Sequence, residues 1–221
     1  MLKPLLIAYL MLFPARFFEM LASQIWYKNL IREWIQSLAP QSRYVAAELG
    51  SGPGIIAEYL AGRVKSVLAI DKSVQMTHFA KKRRKGRNLE FRHGDAFAEG
   101  LLRKNSFDLI IASSLLNIVG NKEKLVRNVV NGLTGSGLLS FLFPAPTMTL
   151  ERASKYAAGQ GMHGISRDLL QLWATFAAKL DPHDAIGLFP KASQGVIAVN
   201  AFMDGMVTSV TYTSRWQGEG S

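Results

Sequence analysis

The sequence contains no cysteine. Disulfides, thiolate metal sites and cysteine nucleophiles are thereby excluded. Its four histidines, His78, His93, His163 and His183, show no ligand spacing such as HxxxH, so no metal site is expected. Acidic residues are scarce: 16 Asp and Glu stand against 26 Lys and Arg, leaving a net charge of +10. That balance favours anionic partners, whether nucleic acid, an acidic membrane surface or an anionic substrate. There is no internal repeat and no low-complexity tract. What remains, 48% hydrophobic and 19% charged over 221 residues, is the composition of one globular domain with a substantial core and room for an appendage.

The N-terminus is the exception to this ordinary pattern. Leu5 to Phe13 is apolar throughout, with Lys3 before it, Arg16 after it and Pro14 ending it. At about 1.5 Å per helical residue it falls far short of a hydrocarbon layer of about 30 Å. It has the length of a signal-peptide core, yet one lysine precedes it and no A-x-A site follows, so it is read as retained in a cytoplasmic protein. Residues 1–20 then either pack on the domain as a cap or lie on a membrane as a peripheral anchor. Burial is the commoner fate of such stretches, so the cap is preferred.

From Phe17 to Leu38 the pattern is helical: Tyr27, Leu30, Ile31, Trp34, Ile35 and Leu38 recur three and four apart on one face. Residues 1–40 therefore read as a helical extension, and residues 41–221 as the main domain. Strands are expected at 44–49, 67–71, 89–93, 107–112 and 138–143. Helices are expected at 55–62, from Ser73 to Lys85 and at 123–133. Strand and helix in alternation mean a parallel sheet with helices on both faces. Residues 145–190 break the rhythm with Pro146, Gly159, Gly161 and Gly164 before a helix over 169–180, and read as an insertion. Asp204-Gly205 between the β-rich runs 196–203 and 207–215 predicts a hairpin. The fold class is α/β: a seven-stranded, mostly parallel, Rossmann-like sheet ending in an antiparallel hairpin, with an N-terminal helical extension.

The stretch "ELGSGPG", residues 48–54, follows the first strand. A dinucleotide fingerprint would carry its third glycine where Ile55 stands. A phosphate-binding loop would end in GKS or GKT, and Pro53 removes an amide that a phosphate nest would use. Glu48, Asp71 and Asp95 each stand at or after the end of a strand, at the carboxyl edge where parallel sheets bind ligands. Together they suit a nucleoside with a small, close-packed tail.

With these features in view, the sequence resembles the class I S-adenosylmethionine-dependent methyltransferases. "AAELGSGPG" is similar to their first motif, "VLAIDKS" to the second, "FRHGDAF" to the adenine-binding segment and "FDLIIASSLLNIV" to the fourth-strand motif. "LVRNVVNGLTGSGLLSF" resembles their helix, glycine turn and strand. The resemblance covers residues 40–144 well, and 195–216 by pattern. It implies S-adenosyl-L-methionine as cofactor. It further implies that Glu48 helps to hold the methionine ammonium, and that Gly50, Ser51, Gly52 and Gly54 let the cofactor lie against the backbone. In the same pattern Asp71 binds the ribose hydroxyls with Lys72 beside it, and Met76 packs near the adenine. Asp95 binds the adenine amine, Ala96 offers backbone to the ring and Ser113 faces the methionine part.

The acceptor is less defined. Enzymes methylating amino groups of adenine or glutamine resemble one another in a D/N-P-P-Y/F/W tetrad after the fourth strand, where this chain has Ser113-Ser114-Leu115-Leu116. The chain looks instead like the group acting on small molecules, quinones or lipids. RNA methylation, and cofactor binding without catalysis, are the alternatives. A nicotinamide oxidoreductase is disfavoured by Ile55 and by the lack of a Tyr-x-x-x-Lys pair. The basic run Lys81 to Lys85 with Arg87 closes a helix away from the expected cofactor edge. It reads as a solvated helix end or a remote patch for phosphates. Acceptor contacts are expected from residues 1–40 and 145–190, which carry Trp26, Tyr27, Tyr156, Trp173 and Phe176, with His163 as the candidate base.

Overall fold

A computed structural model describes residues 2–98, 100–189 and 195–214. Three helices come first: α1 (Leu2–Leu12), α2 (Pro14–Ser23) and α3 (Ile25–Ser37). The alternating part follows as β1 (Val45–Leu49), α4 (Ile55–Ala61), β2 (Ser66–Asp71), α5 (Val74–Arg83), β3 (Leu89–His93), β4 (Phe107–Ser113), α6 (Lys122–Val130) and β5 (Leu133–Pro144). The insertion forms α7 (Leu150–Gly159), α8 (Gly164–Phe176) and α9 (Pro182–Ile186), and the chain returns to the sheet as β6 (Gly195–Phe202) and β7 (Val207–Ser214).

The seven strands run in the order β3-β2-β1-β4-β5-β7-β6. The first five are parallel, and β7 lies antiparallel to both β5 and β6. This is the expected architecture. Alternate residues feed two cores, as a strand's two-residue period requires. Ala46 of β1 joins a cluster with α3, α4 and α8, whereas Ala47 and Leu49 join one with α6 and α9.

Some boundaries differ from expectation. The long first helix is two helices, because Gln24 is extended (φ −68°, ψ 139°) and its side chain bonds the Met20 carbonyl. The helix expected to reach residue 133 stops at Val130, and β5 takes over at Leu133. The helix expected over 169–180 starts at Gly164 and ends at Phe176. α7 occupies a stretch whose glycines and proline gave no helical signal; Thr149 caps it by accepting the Arg152 amide. The expected strand end at Arg215 and the insertion end at Pro190 lie outside the described residues.

α3 is bolted to the sheet. Trp34 is fully buried, and its indole Nε1 donates to Ser140 Oγ at 2.9 Å; Ser140 in turn pairs with Thr211 Oγ1 at 2.8 Å. Trp34→Phe keeps most of the apolar volume and removes the donor. It is expected to cost about 1–3 kcal/mol, read as a lower denaturant midpoint at unchanged slope. An unchanged midpoint would show that this bond contributes nothing.

Candidate functional site

The glycine loop leaves β1 at the carboxyl edge of the sheet and turns three times through left-handed backbone, at Gly50 (φ +67°), Gly52 (+51°) and Gly54 (+79°). At Gly54 a side chain is also sterically excluded: a Cβ there would stand 2.5 Å from Phe91 Cε1. At Gly52 the space beside the backbone is open. Ser51 is buried, and its amide donates to the Ile70 carbonyl at 3.0 Å, which fixes the loop to the end of β2.

Asp71, at the end of β2, holds the loop in shape. Its Oδ2 accepts the Gly52 amide at 2.7 Å and its Oδ1 accepts the Ser73 amide at 2.8 Å. An ionised carboxylate has about four acceptor positions, so each oxygen keeps one for another donor. Ser73 caps α5 by accepting the Met76 amide at 3.2 Å, which places half-buried Met76 in its first turn. Lys72 is exposed, and its carbonyl is 3.0 Å from His93 Nε2. Beyond β3, exposed Asp95 accepts the Phe97 amide at 2.9 Å, turning the chain at half-buried Ala96.

Glu48 points to the α3–α4 side of the sheet and is 2% exposed. Its Oε2 makes no hydrogen bond among the described residues. Burial drives its pKa well above 4.5; the Ala57 amide, hydrogen-bonded to it, works the other way, and the Asp71 charge raises it further. A buried carboxyl with an orphaned oxygen is costly, which makes the position fit for a cationic ligand.

Tyr27 of α3 faces this carboxyl. Its pKa is pushed up to about 12, first by burial and then by the Glu48 charge, while hydrogen bonding with the Ser113 side chain lowers it. Glu48, Tyr27 and Ser113 thus form one constellation. Ser113 ends β4, and Ser114 after it adopts φ +53°, a strained turn for a side-chain-bearing residue. Behind Tyr27, Trp26 stacks on Trp173 of α8 with centroids 5.8 Å apart, and Trp173 meets Tyr27 edge-on at 6.3 Å. Buried Trp26 keeps its Nε1 unbonded among the described residues.

Sequence reasoning had placed Tyr27 only among the aromatics of the extension, because it sits in the same apolar stripe as Leu30 and Trp34. It had also set the basic run apart from the site. Arg84, however, is not a solvated helix end. It pairs with Glu19 of α2 and with Glu58 at 3.3 Å, and its Nε donates to the Pro53 carbonyl of the glycine loop at 3.2 Å. His163 is exposed at the start of α8 and makes no capping bond. No hydrogen bond or ion pair among the described residues joins it to Glu48, Asp71 or Ser113. Nor do the described residues hold any cluster of His, Asp and Glu able to bind a metal.

Residues 47–141 match the methyltransferase domain family. Over those residues the chain is similar to a methyltransferase domain. Its fold is shared with several solved S-adenosylmethionine-dependent methyltransferases. The N-methyltransferase NodS from Bradyrhizobium japonicum, solved with S-adenosyl-L-homocysteine, is 15% identical with a TM-score of 0.62, over 88% of this chain and 90% of that one. A Mesorhizobium loti S-adenosylmethionine-dependent methyltransferase is 18% identical at the same TM-score, over 87% and 99%. One from Aquifex aeolicus is 12% identical, again at 0.62, over 83% and 89%. No curated protein sequence matches the chain.

Proposed function

We propose that this methyltransferase moves the methyl group of S-adenosylmethionine to a small-molecule or membrane-associated acceptor of quinone or phospholipid type. The observation that carries the reading is the buried, half-orphaned Glu48 carboxyl beside a left-handed glycine loop held by Asp71. The loop leaves room against the backbone at Gly52, Glu48 meets the ammonium, and Asp71 keeps acceptor positions for the ribose hydroxyls. Asp95 and Ala96 border the adenine, with Lys72 and Met76 beside them. Bound there, the cofactor supplies a sulfonium methyl open to in-line displacement.

The chain's own contribution is alignment and exclusion of water. With its pKa at about 12, Tyr27 is a neutral phenol at ordinary pH. It donates a hydrogen bond and orients an acceptor heteroatom rather than removing its proton. Trp26 and Trp173 supply an apolar, flat wall behind it, suited to a ring or an acyl chain. His163 stands apart, and this reading gives it no step.

Calorimetry tests the proposal. S-adenosylmethionine and S-adenosylhomocysteine should bind and NAD should not; failure of the first two to bind sinks it. Asp71→Asn keeps a carbonyl oxygen for one of the two loop amides, sets its NH2 against the other and loses the charge toward the ribose. It is expected to weaken S-adenosylhomocysteine binding roughly tenfold or more. Equal affinity would remove Asp71 from the site.

A further inference from the structure

α1 is apolar on both sides. From Pro4 to Phe13 it carries no charge. Its inner side holds buried Leu6 and half-buried Ile7, Tyr9 and Leu10 against the core, and the helix packs on α2 and α8. Its outer side is Pro4, Leu5, Ala8, Met11 and Leu12, at helical three-and-four spacing. There Leu5 is 68% exposed, Met11 80% and Leu12 68%. A surface helix of a soluble domain turns a polar face outward, and this one does not. α1 and α2 meet at Phe13, which leaves the helical conformation (φ −136°, ψ 59°) but still donates its amide to the Tyr9 carbonyl and accepts the Phe17 amide. Phe13 and Phe18 extend the exposed apolar surface.

The charge around this surface is mainly positive. Glu19 is the one acid of α1 and α2, and it shares Arg84 with Glu58 of α4. The same ion pair brings the end of α5 to α2, where Lys81, Lys82, Arg83, Lys85 and Arg87 are exposed, as is Arg16. We propose that this surface seats the protein on an anionic lipid bilayer, with the outer side of α1 in the interface and the cations against headgroups. A second copy of the chain is a poorer occupant. A two-fold contact would apply these like charges to one another, in a molecule of net charge +10. An 11-residue helix also offers far less than the roughly 800 Å² per partner of a stable interface.

No helix of the described residues is long and apolar enough to cross a membrane, so the seat is peripheral. It adjoins the acceptor side. α1 packs on α8, and α8 carries Trp173 beside Trp26 and Tyr27. The bilayer would then lie on the side of the fold where α8 brings Trp173 to Tyr27, the side an acceptor dissolved in lipid would approach. This last step rests on the proposed methyl transfer, whereas the docking itself does not.

Flotation of the full chain, without cofactor, tests the docking. The probes are phosphatidylcholine vesicles with and without phosphatidylglycerol. Wild type should float with the anionic vesicles, less so as salt rises. Leu5→Ser, Met11→Ser and Leu12→Ser together should weaken binding at least about tenfold while leaving the melting curve unchanged, since all three are exposed. Lys81→Ala, Lys82→Ala and Arg83→Ala together should weaken binding to anionic vesicles only. Wild type that fails to float, or a triple-serine variant that floats equally, overturns the proposal. It is also overturned by light scattering that shows a dimer lost in the triple-serine variant, which assigns the patch to a second copy. Single-stranded RNA that is held by the cations while vesicles are not would have the same force. Cofactor affinity is read separately, so either reading can fail alone.

Discussion

Glu48→Gln is expected to make the protein more stable and worse at holding its cofactor. In the free protein this carboxyl is buried with one oxygen unbonded, and burial raises its pKa well above 4.5. Below pH 4.5 it is neutral in both the folded and the unfolded chain. As pH rises through that value the unfolded carboxyl ionises while the folded one keeps its proton. The unfolded state then binds fewer protons, so stability falls until the raised folded pKa is passed. Glutamine cannot ionise, and its carbonyl still accepts the Ala57 amide. The difference in melting temperature, variant minus wild type, should therefore grow from pH 4.5 upward and then level off. A flat difference would show that Glu48 titrates alike in both states.

The cost falls on binding. A charged hydrogen bond to the methionine ammonium contributes about 1.5–3 kcal/mol, so affinity for S-adenosylmethionine should drop roughly tenfold to a hundredfold. The ammonium also lowers the Glu48 pKa, because an opposite charge favours the ionised form. Binding to wild type should release a proton, and its apparent enthalpy should vary with the ionisation enthalpy of the buffer. In the glutamine variant that variation should vanish. A wild-type enthalpy that is the same in every buffer would remove Glu48 from the ammonium site. Gains in stability at the expense of function are expected wherever a buried group is kept for a ligand.

Such reasoning was open to the sequence for Glu48, which interrupts the apolar run of β1 just before three glycines. The sheet was legible for a related reason. Central parallel strands are buried on both faces, so 67–71, 107–112 and 138–143 read as apolar runs, and Asp204-Gly205 marks the return. The break at Gln24 was not legible, since neither glycine nor proline marks it and the bond to Met20 is local geometry. Arg84 could not be told from the cations on either side of it. Only the folded chain brings Glu19, Glu58 and the Pro53 carbonyl to this one guanidinium. Tyr27 was hidden in the stripe it shares with Leu30 and Trp34, and only the folded chain brings it to Glu48 and Ser113.

Gly54→Ala is expected to damage loop and fold together, and the damage has two separable parts. The backbone at Gly54 has φ +79°, which costs an L-residue about 1–2 kcal/mol. The new Cβ would also lie 2.5 Å from Phe91 Cε1, 2.6 Å from Cζ and 3.1 Å from Ala80 Cβ. Phe91 is buried on β3 and Ala80 on α5, so neither has free space to retreat into, and overpacking adds about 1–3 kcal/mol. The Gly54 amide donates to the Ser51 carbonyl at 2.9 Å, so any shift passes into the stretch that Asp71 holds. Chemical denaturation should show a loss of several kcal/mol, and calorimetry a loss of cofactor affinity. Phe91→Leu removes the two ring atoms in conflict. In the double variant the overpacking should disappear and the backbone part remain, giving a favourable coupling of about 1–3 kcal/mol in a double-mutant cycle. Strict additivity would mean that Phe91 does not police this position, and that left-handed backbone alone demands the glycine.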